Sequence, residues 1–578
     1  MPSASLRTPS PRRPVRAALS SAALLVSTSA AQAQPAAPIT VVPPAPPPLA
    51  ADPATSLAIP ETGALQPPEG SERLEVTVGD VTVEGGFPDV ARETSAAIEP
   101  LKGRRVTLAE IYSAAASIEA AHARKGYILA RVAVPPQTLA DGAPLRIVVV
   151  DGFIEAIDTS ALPPAVRRPV ERRVAGLIGK RRVTLRDIET PLLLAGEVPG
   201  LALRSTLMRG TRPGGTRLAL EGAFRSVGGA AAVDNALDPS LGSYGASLQF
   251  TANSAFGFGE QLYAFAYTGH DPARWIKDTN PVRVLGTGVR IPVGNGDTVI
   301  NPEATFWRTH PRPTAGAPQT VGTLQRIGLR AVRVLDLTRR SRSDLSIAVE
   351  QMRAANIVPA AGADISRERY FALRLERNWT WLRSNGARLG VSVGSSQGLG
   401  NLGAISRADS LAAATPFSRD GARNDFTKVT LEGQALAPAG PVVTSVRVKA
   451  QTTFTRAIFR SEQFALEGGE QVSAFIGGAT SVDEGVAARL ELSPRVPLSD
   501  RHGTIVSPYV FAAAGTGRVV RPTVVETPTL SAGAAGAGAR VAFGGTGLSL
   551  SLEYAHGVAS QDAISGTDRA NLALSFRF

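Results

Sequence analysis

No cysteine occurs among the 578 residues. Disulfide frameworks and thiolate metal sites are therefore excluded, and nothing in the chain depends on redox state. Histidine is nearly as scarce. His122, His270, His310, His502 and His556 are scattered, and none falls at metal-ligand spacing. No stretch holds about eighteen consecutive apolar residues, so no helix can cross a bilayer. Phosphate-binding and catalytic patterns are missing too. Gly179-Lys180 is followed by Arg181 where a phosphate loop needs Ser or Thr, and Gly294-Asn295-Gly296-Asp297 reads as a turn. One histidine beside one serine, His556 and Ser560, does not make a triad. The expectation is a non-enzyme with no cofactor and no metal.

What is present begins with an export leader. Arg7, Arg12, Arg13 and Arg16 precede a short apolar run over 17–31, which ends in Ala31-Gln32-Ala33, a small-x-small cleavage site. That reads as a signal peptide over 1–33. An exported chain without a membrane helix is either soluble or a β-barrel, because only a closed barrel satisfies its backbone polar groups in lipid without helices. The net charge of +12 suits nucleic acid, but the leader argues for no nucleic-acid partner. Basic residues on lumen faces or loops would instead meet polar partner chains or anionic lipopolysaccharide.

Residues 34–73 are dominated by Pro and Ala, including Pro43-Pro44-Ala45-Pro46-Pro47-Pro48. Proline at that density permits neither helix nor central strand and gives an extended linker. Residues 74–152 read as strand, helix, helix, strand, strand. The strands fall at 74–83, 128–134 and 145–150, with a first helix over 88–101. Thr107-Leu108-Ala109-Glu110 matches a capping box. Ile111, Ala115, Ile118 and Ala121 follow as an apolar stripe, and Gly126 suits a helix stop. The plan repeats over 153–222. Arg104-Arg105-Val106-Thr107-Leu108 returns as Arg181-Arg182-Val183-Thr184-Leu185, with Asp187 where Glu110 stood. Strands at 201–207 and 216–221 close this second unit.

Residues 223–578 alternate with period two between turn clusters. Tyr263, Phe265 and Tyr267 share one strand face. Phe371, Leu373 and Leu375 share another, opposite Arg374 and Glu376. Val446, Val448 and Ala450 alternate with Arg447, Lys449 and Gln451, and Leu548, Leu550, Leu552 and Tyr554 with Ser549, Ser551 and Glu553. Alternation alone fits a soluble sandwich or a membrane barrel. The last strand favours the barrel. It ends on an aromatic residue, with Leu572, Leu574, Phe576 and Phe578 on one face. Such an ending is similar to the assembly signal of outer-membrane barrels, which implies the barrel assembly machinery as a partner and Phe576 and Phe578 as the residues read.

Two strand-helix-helix-strand-strand units ahead of a barrel resemble paired POTRA domains. Gly126-Tyr127-Ile128-Leu129-Ala130-Arg131-Val132, Pro136-Gln137 and Gly152 resemble the first POTRA domain of the two-partner secretion transporters. Val198-Pro199-Gly200, Ser205 and Gly215 resemble the second. Val233-Asp234-Asn235, Gly257-Phe258-Gly259-Glu260-Gln261-Leu262 and Asp425-Phe426-Thr427-Lys428 resemble strands of the barrel. The resemblance implies a transmembrane antiparallel β-barrel, of 16 strands, preceded by two α+β POTRA domains. It places the barrel in the outer membrane and the POTRA domains in the periplasm. The implied activity is export of a secreted β-helical partner protein, captured unfolded by the POTRA domains. Capture by strand addition would use the second strand of each unit, with Tyr127, Ile128, Arg131 and Val132 in the first; Ile128 and Val132 are equally what a POTRA core would hold. Barrel assembly factor and diverged passive channel are the alternative readings.

The chain departs from that family at one motif. The family carries Val-Arg-Gly/Ala-aromatic on a loop folded back into the barrel; here the sequence is Val472-Ser473-Ala474-Phe475. The usual partner is the aspartate of a Phe-x-Asp-x-Gly strand; here Phe511-Ala512-Ala513-Ala514-Gly515 carries Ala513. Losing both partners together avoids an unpaired buried charge and leaves the loop either held by other contacts or looser. The proline-rich segment leaves little room for an amino-terminal plug helix, so the loop is the expected plug. If positions 473 and 513 still face each other, Ser473→Arg with Ala513→Asp will melt at a higher temperature than Ser473→Arg alone; equal melting temperatures count against that pairing.

Overall fold

The computed structural model describes residues 56–58, 67–269, 277, 280–313, 318–468, 471–476, 481–495, 498–499, 503–524, 526–560 and 568–578. The leader, most of the linker, His270 and His502 lie outside the described residues. So does any plug helix in that linker.

Two small α+β units come first. In the first, the expected opening strand is two short ones, Glu75–Thr77 and Val81–Glu84. The chain breaks at Gly79, where a side chain would collide with the carbonyl of Gly142. The expected first helix is Ala91–Ile98 with a tight turn at each end. The second helix is Leu108–Arg124. Thr107 accepts from the Glu110 N–H, and the Glu110 carboxylate accepts from the Thr107 N–H. Ile111, Ala115, Ile118 and Ala121 are all buried. The expected strand over 128–134 shrinks to Arg131–Ala133, because Tyr127 to Ala130 turn back on themselves through bonds from the Ile128 and Ala130 N–H groups to the carbonyls of Gly126 and Tyr127. This strand edges a sheet whose centre is Leu145–Val150.

The second unit repeats the plan, with helices Pro164–Val174 and Leu185–Gly196 and the Thr184–Asp187 capping box. Its sheet holds Phe153–Asp158, Gly215–Phe224 and Leu201–Arg209. The linker is not wholly free of structure. Ser56–Ala58, a stretch without proline, forms an edge strand parallel to Leu201–Arg209, which is the sheet position that a proline-rich segment tolerates.

The remaining strands close on themselves. Sixteen strands among the described residues run once each along the wall, from Val227–Asp234 to Asp568–Arg577, with a two-residue strand at Leu498–Ser499 beside the thirteenth. Every neighbouring pair is antiparallel, and the first pairs with the last through Ala230 opposite Arg577 to Asp234 opposite Ala573. Leu373, Leu375, Leu552, Tyr554, Leu572, Leu574 and Phe576 point outward and are exposed, as a lipid-facing band requires. Arg374, Glu553 and Gln451 point inward. Tyr263, Phe265 and Tyr267 also face inward: Tyr263 bonds to Asn301 and Glu303 in the lumen, and Phe265 and Tyr267 pack beside Leu237 and Leu241. Their strand therefore turns small residues, Ala264 and Ala266, to the outside.

The second unit docks on one end of the barrel. Ser254 Oγ donates to the Ala165 carbonyl at 2.7 Å and Arg172 to the Phe258 carbonyl at 3.1 Å. Arg186 pairs with Asp336 at 2.5 Å, and Thr190 donates to the Leu337 carbonyl. Gly296 (φ +86°) approaches so closely that a side chain there would collide with the Arg173 guanidinium.

The Glu110 carboxyl is held below its usual range, first of all by the Thr107 backbone N–H. A carboxyl lowered by folding contributes stability above its unfolded value near 4.3, and that contribution disappears as pH falls through the folded value. Amides in the first turn of Leu108–Arg124 will therefore lose hydrogen-exchange protection as pH falls below the unfolded value and through the lowered folded one. Glu110→Gln will exchange faster than the parent at pH 7 and show no such step.

Candidate functional site: a loop locked in the barrel lumen

The longest inward excursion joins the eleventh strand, Val442–Thr452, to the twelfth, Glu484–Pro494. It carries the departed motif into the lumen. Val472, Ala474 and Phe475 are buried and pack with Tyr509, Phe511, Ala513, Ala534 and Ala555 of the wall. A side chain on Gly557 would meet Ala474 and Phe475 at 2.6 and 2.8 Å, so the loop lies flush against the fifteenth strand. Val472, Ser473, Ala474 and Phe475 thus do come together with Phe511 and Ala513. Gly515 lies two residues further along, near Leu466 on the same loop.

A guanidinium stands beside Ser473 nevertheless, and it comes from the wall. Arg489 of the twelfth strand donates to Ser473 Oγ at 3.0 Å. Its register partner across the sheet is Ala513. Arg489 is 1% exposed, pairs with Glu491 at 2.8 Å and Glu553 at 2.5 Å, and stacks over the Phe511 ring at 3.7 Å. Tyr509 donates to the same Glu553 carboxylate, and Arg540 pairs with Glu491 at 2.9 Å. Asn571 of the last strand donates to the Ser473 carbonyl at 3.0 Å. The loop is held by other contacts; it is not left loose.

Two further clusters fix the loop at its base. Glu462 is buried against Arg374 and Lys428, each at 2.7 Å, and accepts from Tyr370 Oη at 2.8 Å. Arg374 also pairs with Glu350 at 2.6 Å. Asp483, where the loop rejoins the wall, is buried against Arg419 of another loop, which reaches Glu526 of a third at 3.2 Å. Sequence reading missed Arg489, Glu462 and Arg419, and placed Arg374 on the polar face of its strand without a role. Inward arginines and glutamates alternate along many barrel strands, so none stands out. The one usable signal was negative: with no arginine at 473, a substitute belonged on an inward position of the strand beside Phe511.

The residues expected at the first unit's edge are already engaged. Val132 is buried, and its N–H donates to Glu119 Oε2 at 2.9 Å. Arg131 folds back on the carbonyls of Ile128 and Ala130. Ile128 packs on the core of the second unit, and Tyr127 donates to Asp89 at 2.8 Å and stacks edge-on with Phe87. Phe576 and Phe578 stack on each other outside the wall. Ser560 Oγ accepts from the Ser531 N–H, while His556 pairs with Asp568, so these two residues are bound to other partners.

Residues 221–541 match the family model of the haemolysin secretion/activation proteins ShlB/FhaC/HecB, and residues 76–152 match the ShlB-type POTRA domain. The chain belongs to this family. It is an outer-membrane secretion/activation transporter with periplasmic POTRA domains. Among solved structures it is similar to CdiB from Escherichia coli, at 19% identity and a TM-score of 0.68 over 89% of this chain and 92% of that one. It is similar also to CdiB from Acinetobacter baumannii, at 15% identity and a TM-score of 0.60 over 90% and 95%. At these identities the likeness concerns the fold. No sequence among curated proteins matches. The POTRA-docked end of the transporter's barrel is the periplasmic end, which places the loops at the opposite end outside the cell.

Breaking a buried, hydrogen-bonded ion pair costs about 3–5 kcal/mol. Arg489→Met will therefore lower the melting temperature of the barrel and raise the frequency of open-channel events in planar bilayers. Ser473→Ala removes one acceptor of the charged guanidinium, will cost about 1.5–3 kcal/mol, less than loss of the arginine, and will leave conductance nearer the parent's. Equal conductance in Arg489→Met and the parent contradicts a locking role for this arginine.

Proposed function

We propose that this transporter exports a large β-helical partner protein from periplasm to cell surface, and that the second POTRA domain captures the unfolded partner by strand addition. The observation that carries this reading is the Leu201–Arg209 edge, which pairs in parallel with an extended segment of the chain's own linker, Ser56 opposite Arg204 to Ala58 opposite Thr206. An edge that accepts one extended segment has its backbone groups turned outward and spaced for another. The partner displaces Ser56–Ala58, a three-residue pairing, and gains a longer one. The first domain's edge is a weaker candidate, since its Val132 N–H is already satisfied by Glu119.

Onward passage requires space in the lumen. The locked loop fills that space. Moving its tip exposes Arg489 and its two glutamates to water, and polar segments of the partner then take up the hydrogen bonds that the tip gives up. Export in this scheme uses no nucleotide; folding of the partner outside makes it directional. The substitutions at 473 and 513 would suit a passive channel; the bond from Arg489 to Ser473 supports a held loop and hence the exporting reading.

The absence of native cysteine permits a direct test. Leu57→Cys and Ser205→Cys stand opposite each other in register. In cells co-expressing a β-helical protein encoded beside this chain, oxidation of that pair will stop appearance of the partner at the surface, and reduction will restore it. Unchanged export with the pair fully oxidised eliminates this edge as the capture site.

A further inference from the structure

The outer surface of the barrel carries a basic groove that neither the lumen nor the POTRA domains use. It lies across the fourth to eighth strands, Val282–Val293, Thr298–Thr309, Val321–Leu337, Ser341–Val358 and Ala363–Leu382, and has a volume of about 760 Å³. The register sets its floor as two adjacent rows. One row runs Arg283, Arg308, Thr323, Ala355, Arg367, and the next runs Leu285, Phe306, Gln325, Arg353, Arg369.

Both rows face outward. Leu285 and Phe306 are 40% and 47% exposed, whereas their neighbours Val284, Leu324 and Met352 are buried inside. The rows sit near the extracellular end, because the other ends of these strands, at Asp336 and Leu337, meet the second POTRA domain. Immediately below them the outward positions turn apolar: Ile327, then Leu329, Val349 and Leu373. The groove therefore spans the boundary between the lipid-facing band and the headgroups of the outer leaflet.

The arrangement of charge is costly as it stands. Arg353 faces Arg369 directly across the sheet. Like charges in direct cross-strand register repel. Asp364 pairs with Arg367 at 2.7 Å, and Glu368, between Arg367 and Arg369, turns its buried carboxylate inward to Ser418 and Ser461. Forked guanidinium groups set side by side match the oxygens of a phosphate monoester.

We infer that this groove is a binding site for a phosphorylated glycolipid of the outer leaflet, a phosphate bridging Arg353 and Arg369 and an acyl chain lying on Phe306, Ile327 and Leu329. The ligand class follows from two requirements met in one place. Multiple anionic oxygens must sit at the headgroup level, and apolar chain must descend from them along the wall. A bound lipid of this kind clamps the fifth to eighth strands, away from the seam between first and last strands, leaving that seam as the softer side during passage of a partner.

The test uses the full chain in neutral detergent with three probes: bisphosphorylated lipid A, the same glycolipid with both phosphates removed, and inorganic phosphate. The parent will bind the bisphosphorylated glycolipid, seen by native mass spectrometry and as a rise in melting temperature. The dephosphorylated lipid will bind at least about tenfold more weakly, and inorganic phosphate will give no shift at the same concentration. R353Q/R369Q will weaken lipid binding by about tenfold or more while melting no lower than the parent in neutral detergent, since a repulsive pair has gone. R369Q alone gives an intermediate loss and serves if the double variant does not fold. R333Q, outward-facing at the opposite end of the sixth strand, will bind as the parent does. Equal binding by parent and R353Q/R369Q, equal binding of both glycolipids, or a shift with inorganic phosphate matching that of lipid A overturns the assignment.

Discussion

Everything in this molecule depends on closing a sheet. In hydrocarbon an unpaired N–H or C=O costs several kcal/mol, and an open sheet would leave a full edge of them. The first strand meets the last along five residue pairs, and Gly229 and Phe578 exchange two backbone bonds at 3.1 Å beyond that ladder. Asn235 extends the seam at the other end, its side chain bonding to the Ala570 carbonyl and the Leu572 N–H. The aromatic carboxy terminus therefore has a structural place in the closure, stacked against Phe576 where the wall completes itself.

Closure divides each strand between two solvents and so makes a lumen in which charge is expensive unless paired. The loop plug is a solution to that problem. Its base is held by Glu462 against Arg374 and Lys428, and its tip by Arg489, whose charge is met by Glu491, Glu553 and the face of Phe511. In this chain the arginine of that contact stands on the wall, at Arg489, and the loop supplies a hydroxyl, at Ser473. A guanidinium remains beside Phe511, and the loop segment Val472 to Phe475 that packs there has no charged side chain of its own. Withdrawing that segment leaves the arginine on the wall, whereas an arginine on the loop would have to be rehydrated as it leaves.

At the periplasmic end, the two helices of the second POTRA domain rest on turns of the barrel through a mixture of ion pairs and bonds to backbone carbonyls. Polar contacts of this kind exchange readily with water, so the docked domain can move relative to the barrel at modest cost. The edge strand Leu201–Arg209 belongs to the same domain. Under the proposed capture by strand addition, a partner segment at that edge lies on the body beneath the barrel opening, so that capture and passage share one part.

The local elements and their order are legible in the residues alone. The two capping boxes, the apolar stripe of Ile111, Ala115, Ile118 and Ala121, and the period-two strands are visible because they follow from contacts within one helix turn or one strand. The barrel followed from an export leader, alternation and a terminal aromatic strand taken together. Which face turned inward, and which residues met, came from the folded barrel. The face of Tyr263, Phe265 and Tyr267 is lumenal because Asn301 and Glu303 lie opposite. Tyr127, Ile128, Arg131 and Val132 are tied into their own domain and its neighbour. Arg489 reaches Ser473 and Ala513 across a sheet and a folded loop. Such pairings depend on register between strands, and register is set by closure of the whole barrel, which no local stretch of sequence encodes.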